Sequence, residues 1–119
     1  WKILTVEKYS KNMKRYGSII RIKPERLEEY KKIHADVWPE VLKTITDCNI
    51  RNYSIFYKDN MLFSYFEYIG KDFKKDMAKM EKDPASRKWN KICSQMQVPV
   101  ENREDDEWWA SMEEVFHHD

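Results

Sequence analysis

The feature that most restricts the fold is the order in which two hydrophobic periods alternate along the chain. A period of two suits a strand, and one near 3.6 suits a helix. From Tyr16 to Lys23 the run Tyr-Gly-Ser-Ile-Ile-Arg-Ile-Lys sets Ser18, Ile20 and Ile22 on one side and Ile19, Arg21 and Lys23 on the other, as a strand does. After Pro24, the positions Leu27, Tyr30, His34, Val37, Val41 and Ile45 recur at steps of three and four, which predicts a long first helix with one apolar face. Pro39 removes a backbone donor and pushes Trp38 away from helical angles, so a kink or break is expected at Trp38-Pro39.

The pattern then returns to strands. Arg51 to Tyr57 alternates Tyr53, Ile55 and Tyr57 against Asn52, Ser54 and Phe56, Met61 to Tyr68 is equally aromatic, and Lys58-Asp59-Asn60 between them has turn chemistry, so a β-hairpin is expected. Phe73, Met77 and Met80 are spaced for a second helix that stops before Asp83. Asp83-Pro84 is an N-cap and first-turn pair, and it opens a short helix whose inward face would carry Trp89, Ile92, Cys93 and Met96. After a loop with Pro99 and the acidic run Glu104-Asp105-Asp106-Glu107, the alternation of Trp108, Ala110, Met112, Glu114 and Phe116 predicts the fourth strand. The order β-α-β-β-α-β, with the second helix split in two, is that of an α+β ferredoxin-like sandwich. Residues 1–12 precede this pattern and are expected to be an extension, with Met13 a candidate original start and 13–119 a single domain. Helices cover one sheet face, yet Tyr and Phe occur at both parities of the hairpin. A homodimer with sheet facing sheet would cover the other face.

Composition closes off several functions. The 22 Lys and Arg balance 21 Asp and Glu, and a net charge of +1 gives no footprint for a nucleic acid. No apolar stretch approaches a membrane span, and the first residues are too short for a secretory core, so the expected location is the cytoplasm. Cys48 and Cys93 lie too far apart for a redox pair or zinc ribbon and are expected to be reduced and partly buried. The only glycines, Gly17 and Gly70, cannot form a dinucleotide turn.

His34 stands out among the three histidines because it lies on the apolar stripe, four residues after Tyr30 and four before Trp38. It reads either as a satisfied core histidine or as a general acid/base in an aromatic pocket, since imidazole exchanges protons near neutral pH. Adjacent His117 and His118 would point to opposite faces of a strand, which is poor for joint metal binding. Five tryptophans in 119 residues is high; most read as core, and aromatic rings beside a few hydroxyls also suit a sugar, with Trp89 on a short helix and Tyr30 and Tyr53 offering phenols. No pair of carboxylates has the fixed separation of a glycosidase.

These residues also carry a resemblance. Glu28-Glu29-Tyr30, His34-Ala35-Asp36-Val37-Trp38-Pro39-Glu40, the runs Asn52 to Tyr57 and Phe63 to Tyr68, Asp83-Pro84 with Trp89, and Glu107 to Phe116 occur in the order and spacing of the L-rhamnose mutarotases, from about Met13 to Asp119. The resemblance implies a dimeric α/β barrel of ferredoxin-like subunits that interconverts the α and β anomers of L-rhamnose with neither metal nor organic cofactor. It implies further that His34 is the proton donor and that Tyr30, Tyr53 and Trp89 bind the sugar. Many members have two consecutive tryptophans where this chain has Trp89-Asn90. Asn90 therefore joins the expected sugar site and keeps another 6-deoxy sugar, such as L-fucose, as an alternative substrate. A small monooxygenase or a non-catalytic sugar-binding module on the same fold are the rival readings.

Overall fold

The computed structural model describes residues 13–119, so the expected extension at 1–12 lies outside the described residues. Strand β1 spans Lys14–Ile22 and leads through a 3-10 turn at Pro24–Arg26 into helix α1, Leu27–His34. The break expected at Trp38-Pro39 is complete: Trp38 adopts φ −57° and ψ 133°, and a separate helix α2, Pro39–Asp47, starts with Pro39 in its first turn. Strands β2 (Ile50–Lys58) and β3 (Met61–Tyr68) form the expected hairpin. Asp59 and Asn60 both take positive φ, 50° and 63°, the backbone handedness that lets a two-residue turn match the twist of its strands.

Helix α3 (Phe73–Lys82) and helix α4 (Pro84–Ser94) make up the split second helical unit. Each starts at an aspartate cap: Asp72 accepts from the Lys75 amide and Asp83 from the Ser86 amide, satisfying donors that a helix start leaves unpaired. The inward face of α4 carries Ser86, Trp89 and Cys93, whereas Ile92, expected there, is 37% exposed. The true stripe runs through positions 86, 89 and 93, and Ile92 falls one position off it. Met96, past the helix end, is buried as expected, and both cysteines are free thiols inside the fold.

The sheet order is β2-β3-β1-β4, the ferredoxin-like order, with every pairing antiparallel. Its outer edge differs from expectation. The long last strand from Trp108 to Phe116 is reduced to β5, Ala110–Met112, paired with Gly17–Ile19 of β1, while an unexpected two-residue strand β4, Gln97–Val98, takes the Arg21–Ile22 end of the same edge. Beyond Met112 the run Glu113-Glu114-Val115-Phe116 loses its alternation, so there is no face to bury. Val115 and Phe116 are 86% and 80% exposed, and an Arg15–Glu114 ion pair at 2.7 Å ties the segment down by side chains.

The helices pack on one sheet face, where Ile20, Ile22 and Leu62 meet Tyr30, Val41, Trp89 and Met96. On the opposite face Phe56, partnered with Phe63, and Met112, partnered with Gly17, remain exposed. Among the described residues, no helix is long and apolar enough to cross a membrane.

Candidate active site

The break after α1 determines the geometry of the site. His34 is the last residue of that helix, and its Nδ1 lies 2.8 Å from the Tyr30 carbonyl oxygen one turn back. A carbonyl only accepts, so Nδ1 carries a proton and Nε2 is left with its lone pair for other work. The imidazole stacks on the Tyr30 ring at 4.0 Å and meets Trp89 edge-on at 5.2 Å. Trp38, released from the helix by Pro39, also packs edge-on against Trp89 at 5.2 Å. Burial in this aromatic setting lowers the His34 pKa, and the hydrogen bond to the Tyr30 carbonyl works against that shift.

A cavity of about 390 Å³ opens beside His34, large enough for a monosaccharide. Tyr53, Trp89 and Asn90 line it with His34, and Val41 and Met80 supply apolar wall. Tyr53 reaches it from β2 at a register irregularity between Arg51 and Ser54, where Asn52 takes φ 52°; a bulge of this kind re-aims the side chain that follows it. Its ring tilts against Phe66 at 5.6 Å and stays 44% exposed, while the protein around its hydroxyl raises the phenol pKa, so the hydroxyl is neutral at physiological pH. Trp89 is 8% exposed, whereas Asn90, the next residue on α4, is solvent-exposed at the rim.

Thus four of the five expected site residues share one cavity. Tyr30, the fifth, lies behind His34: it is 4% exposed and lines a second cavity of about 280 Å³, with His34 and Ile55 common to both. The Tyr30 hydroxyl accepts from Gln97 Nε2 at 3.2 Å, and Gln97 Oε1 in turn accepts from Trp108 Nε1 at 2.9 Å. The sequence reading missed Gln97, since a lone glutamine in Met96-Gln97-Val98 has no periodicity to mark it. It also missed Ser86, which is 3% exposed and lines the larger cavity; its spacing of three before Trp89 was the available signal. Among the described residues no group of three histidine, cysteine or acidic side chains is placed to hold a metal, and His117 pairs with Asp119 at 2.6 Å.

Fold and site together define a ferredoxin-like α+β protein with a half-buried histidine at the wall of an aromatic, hydroxyl-bearing cavity. The chain belongs to the L-rhamnose mutarotase family, a family of carbohydrate isomerases: its family model matches residues 15–118. The L-rhamnose mutarotase of Oceanobacillus iheyensis is 33% identical over 109 residues, spanning 90% of this chain and 100% of that protein. The crystal structure of an L-rhamnose mutarotase from Formosa agariphila superposes with a TM-score of 0.66 at 22% identity, covering 89% of this chain and 99% of that one. Tetracenomycin F2 cyclase from Streptomyces glaucescens, a polyketide cyclase, reaches a TM-score of 0.68 at 13% identity over 89% of this chain and 97% of its own. That second likeness is one of fold alone, and fold alone implies no chemistry.

Proposed function

We propose that this protein interconverts the α and β anomers of L-rhamnose by acid/base-catalysed ring opening and reclosure, using no cofactor. The observation that carries the reading is His34, anchored through Nδ1 with Nε2 uncommitted at the wall of a cavity that also presents Tyr53, Trp89 and Asn90. In ring opening the bond between the anomeric carbon and the ring oxygen breaks, the ring oxygen gains a proton, the anomeric hydroxyl loses one, and an aldehyde forms. Rotation about the adjacent carbon–carbon bond and the reverse proton movements close the other anomer. His34 Nε2 delivers the proton to the ring oxygen and recovers it on closure, while the Tyr53 hydroxyl or a bound water serves the anomeric oxygen. Asn90 holds sugar hydroxyls at the rim, the Trp89 ring packs against the sugar's C–H groups, and Tyr30 supports the His34 imidazole from the adjoining smaller cavity.

The test is exchange NMR on the anomeric protons of L-rhamnose at equilibrium, with L-fucose in parallel. Faster exchange on L-rhamnose is expected. Preference for L-fucose would assign the substrate to that sugar and point to Asn90, and buffer-rate exchange on both would end the mutarotase reading. The pH dependence tests the donor role. Burial lowers the His34 pKa, so the imidazolium is the minor form at neutral pH. Catalysed exchange should therefore rise as pH falls from 8 towards that lowered pKa and level off below it. A catalysed rate that instead climbs with pH would assign His34 as the initial base.

The protein is proposed to work as a cytoplasmic homodimer, sheet against sheet. The support is the uncovered apolar face, on which Phe56 is 64% exposed and Met112 42%. Phe56→Asp should shift the mass measured by light scattering from dimer to monomer; an unshifted dimer would place the interface elsewhere.

A further inference from the structure

We propose that the α2 wall of the larger cavity reads the methyl group of a 6-deoxy sugar, with Val37 and Val41 selecting it over the hydroxymethyl group of an ordinary hexose. The inference rests on the mutarotase reading and deepens it. Helix α2 and the residues leading into it give the cavity Val37, Val41, Leu42 and Ile45, all aliphatic. The polar groups of the same helix are engaged elsewhere: Lys43 Nζ donates to Asp47 at 2.6 Å and the Thr44 hydroxyl to the Glu40 carbonyl at 3.0 Å. The Trp38 carbonyl accepts from the Val41 and Leu42 amides at 3.0 and 3.1 Å. Hydrogen-bonding side chains enter the lining from other elements, His34 from α1, Tyr53 from β2 and Asn90 from α4. Ser86 lines the cavity too, but its Oγ is itself fully buried. One flank of the cavity therefore offers a ligand no polar side chain.

The chemistry of ring opening says what belongs on that flank. A pyranose ring oxygen has two carbon neighbours. One is the anomeric carbon, whose hydroxyl must give up a proton, and the other is C5, which carries a methyl group in a 6-deoxy sugar. A group that serves the ring oxygen thus has a polar substituent on one side and an apolar one on the other. His34 stands between two flanks of the same kind, the Tyr53 hydroxyl on β2 and the aliphatic wall of α2. Val37 follows it by three residues, and Val41, 4% exposed, shares the core with Tyr30 and Trp89, the two rings that flank the imidazole. Ile45 lies a turn farther along α2, and Leu42 is 51% exposed. With the anomeric hydroxyl on the β2 side, the methyl group meets the two valines, and the remaining hydroxyls face the rim and Asn90. The reverse orientation would press the anomeric hydroxyl against the valines, where no side chain can take its proton. A hydroxyl on C6 would be buried there without a partner, which disfavours the hexose.

Three sugars of one ring configuration differ at this point alone: L-lyxose has hydrogen on C5, L-rhamnose a methyl group and L-mannose a hydroxymethyl group. Affinity for each is titrated by tryptophan fluorescence, and catalysed anomer exchange is measured by NMR. L-lyxose should bind about 4-fold more weakly than L-rhamnose, the loss of one buried methyl contact. L-mannose should bind about 30-fold more weakly, since its extra hydroxyl finds no partner. Val41→Thr sets a hydroxyl into the wall at nearly unchanged shape, and it should narrow the preference for L-rhamnose over L-mannose about 10-fold, weakening the first sugar and improving the second. Val37→Thr should narrow it in the same direction. Equal binding of L-mannose and L-rhamnose, equal binding of L-lyxose and L-rhamnose, or an unchanged preference in both folded variants would overturn the proposal. Should Val41→Thr fail to fold, Val37→Thr, at a half-buried position outside the helix, decides it. A wild-type protein that neither binds L-rhamnose nor speeds its exchange overturns the mutarotase reading and this inference with it, while an active wild type with the wrong sugar or variant pattern overturns this inference alone.

Discussion

His34→Ala is expected to lose at least about 100-fold of the catalysed anomer exchange, the lower end of what a positioned proton donor contributes. The loss follows from the number of groups present: among the side chains lining the larger cavity, His34 alone titrates near neutral pH, since the Tyr53 phenol is pushed up to about 12. The fold should survive. His34 is half-buried at a helix end, and its one hydrogen bond runs to a carbonyl of its own helix, so its loss leaves no distant polar group unpaired and removes only the edge contact with Trp89. Exchange NMR, with light scattering and a melting curve on the same sample, separates lost chemistry from lost structure. Near-wild-type exchange from a folded variant would move the proton donor to another group.

Gly70→Ala should be the most damaging small substitution for stability, at about 3 kcal/mol, combining overpacking with the loss of part-buried hydrogen bonds. The glycine is required by close approach, since a Cβ at this position would meet Tyr68 Cζ at 2.6 Å and Asp76 Oδ2 at 2.7 Å. Neither atom is free to yield. The Tyr68 hydroxyl donates to Asp76 at 2.5 Å and accepts from the Asp72 amide at 3.1 Å, and Asn49 Nδ2 donates to the same Asp76 oxygen at 3.0 Å. Tyr68 is 2% exposed, with its ring edge-on to Phe73. The network fastens α3 to the end of the hairpin, and these hydrogen bonds hold the Asp76 carboxyl below its ordinary range. Calorimetry checks the prediction; an unchanged melting temperature would mean that the start of α3 yields without breaking the network.

The parts of the structure that could be read in advance are those governed by local chemistry. Pro39 ends one helix and starts the next wherever the rest of the chain goes, Asp83-Pro84 caps α4 with its own side chain, and Asp59-Asn60 turns the hairpin through its own backbone preferences. His34 was legible because an imidazole on an apolar stripe is conspicuous, and the family resemblance extended that reading to Tyr30, Tyr53, Trp89 and Asn90. The misreadings share a cause. Residues 108 and 109 would extend the last strand onto Arg21 and Ile20, and only the folded chain shows that β4 takes the Arg21–Ile22 end of that edge. Ile92 was placed inward by a spacing that three adjacent positions of α4 satisfy about equally, and only packing chooses among them.

The sequence by itself therefore determined the succession of elements as far as α4, the breaks between them, the family and the identity of the histidine, since each rests on covalent geometry, side-chain period or residue type. The tertiary structure alone decided which groups meet. Only the folded chain brings Trp38 and His34 to Trp89, separates Tyr30 from the larger cavity, and sets Gln97 between Trp108 and Tyr30. The direction of a hydrogen bond depends on what stands opposite each donor and acceptor, and for Gln97 those partners lie 67 residues before it and 11 after it in the chain.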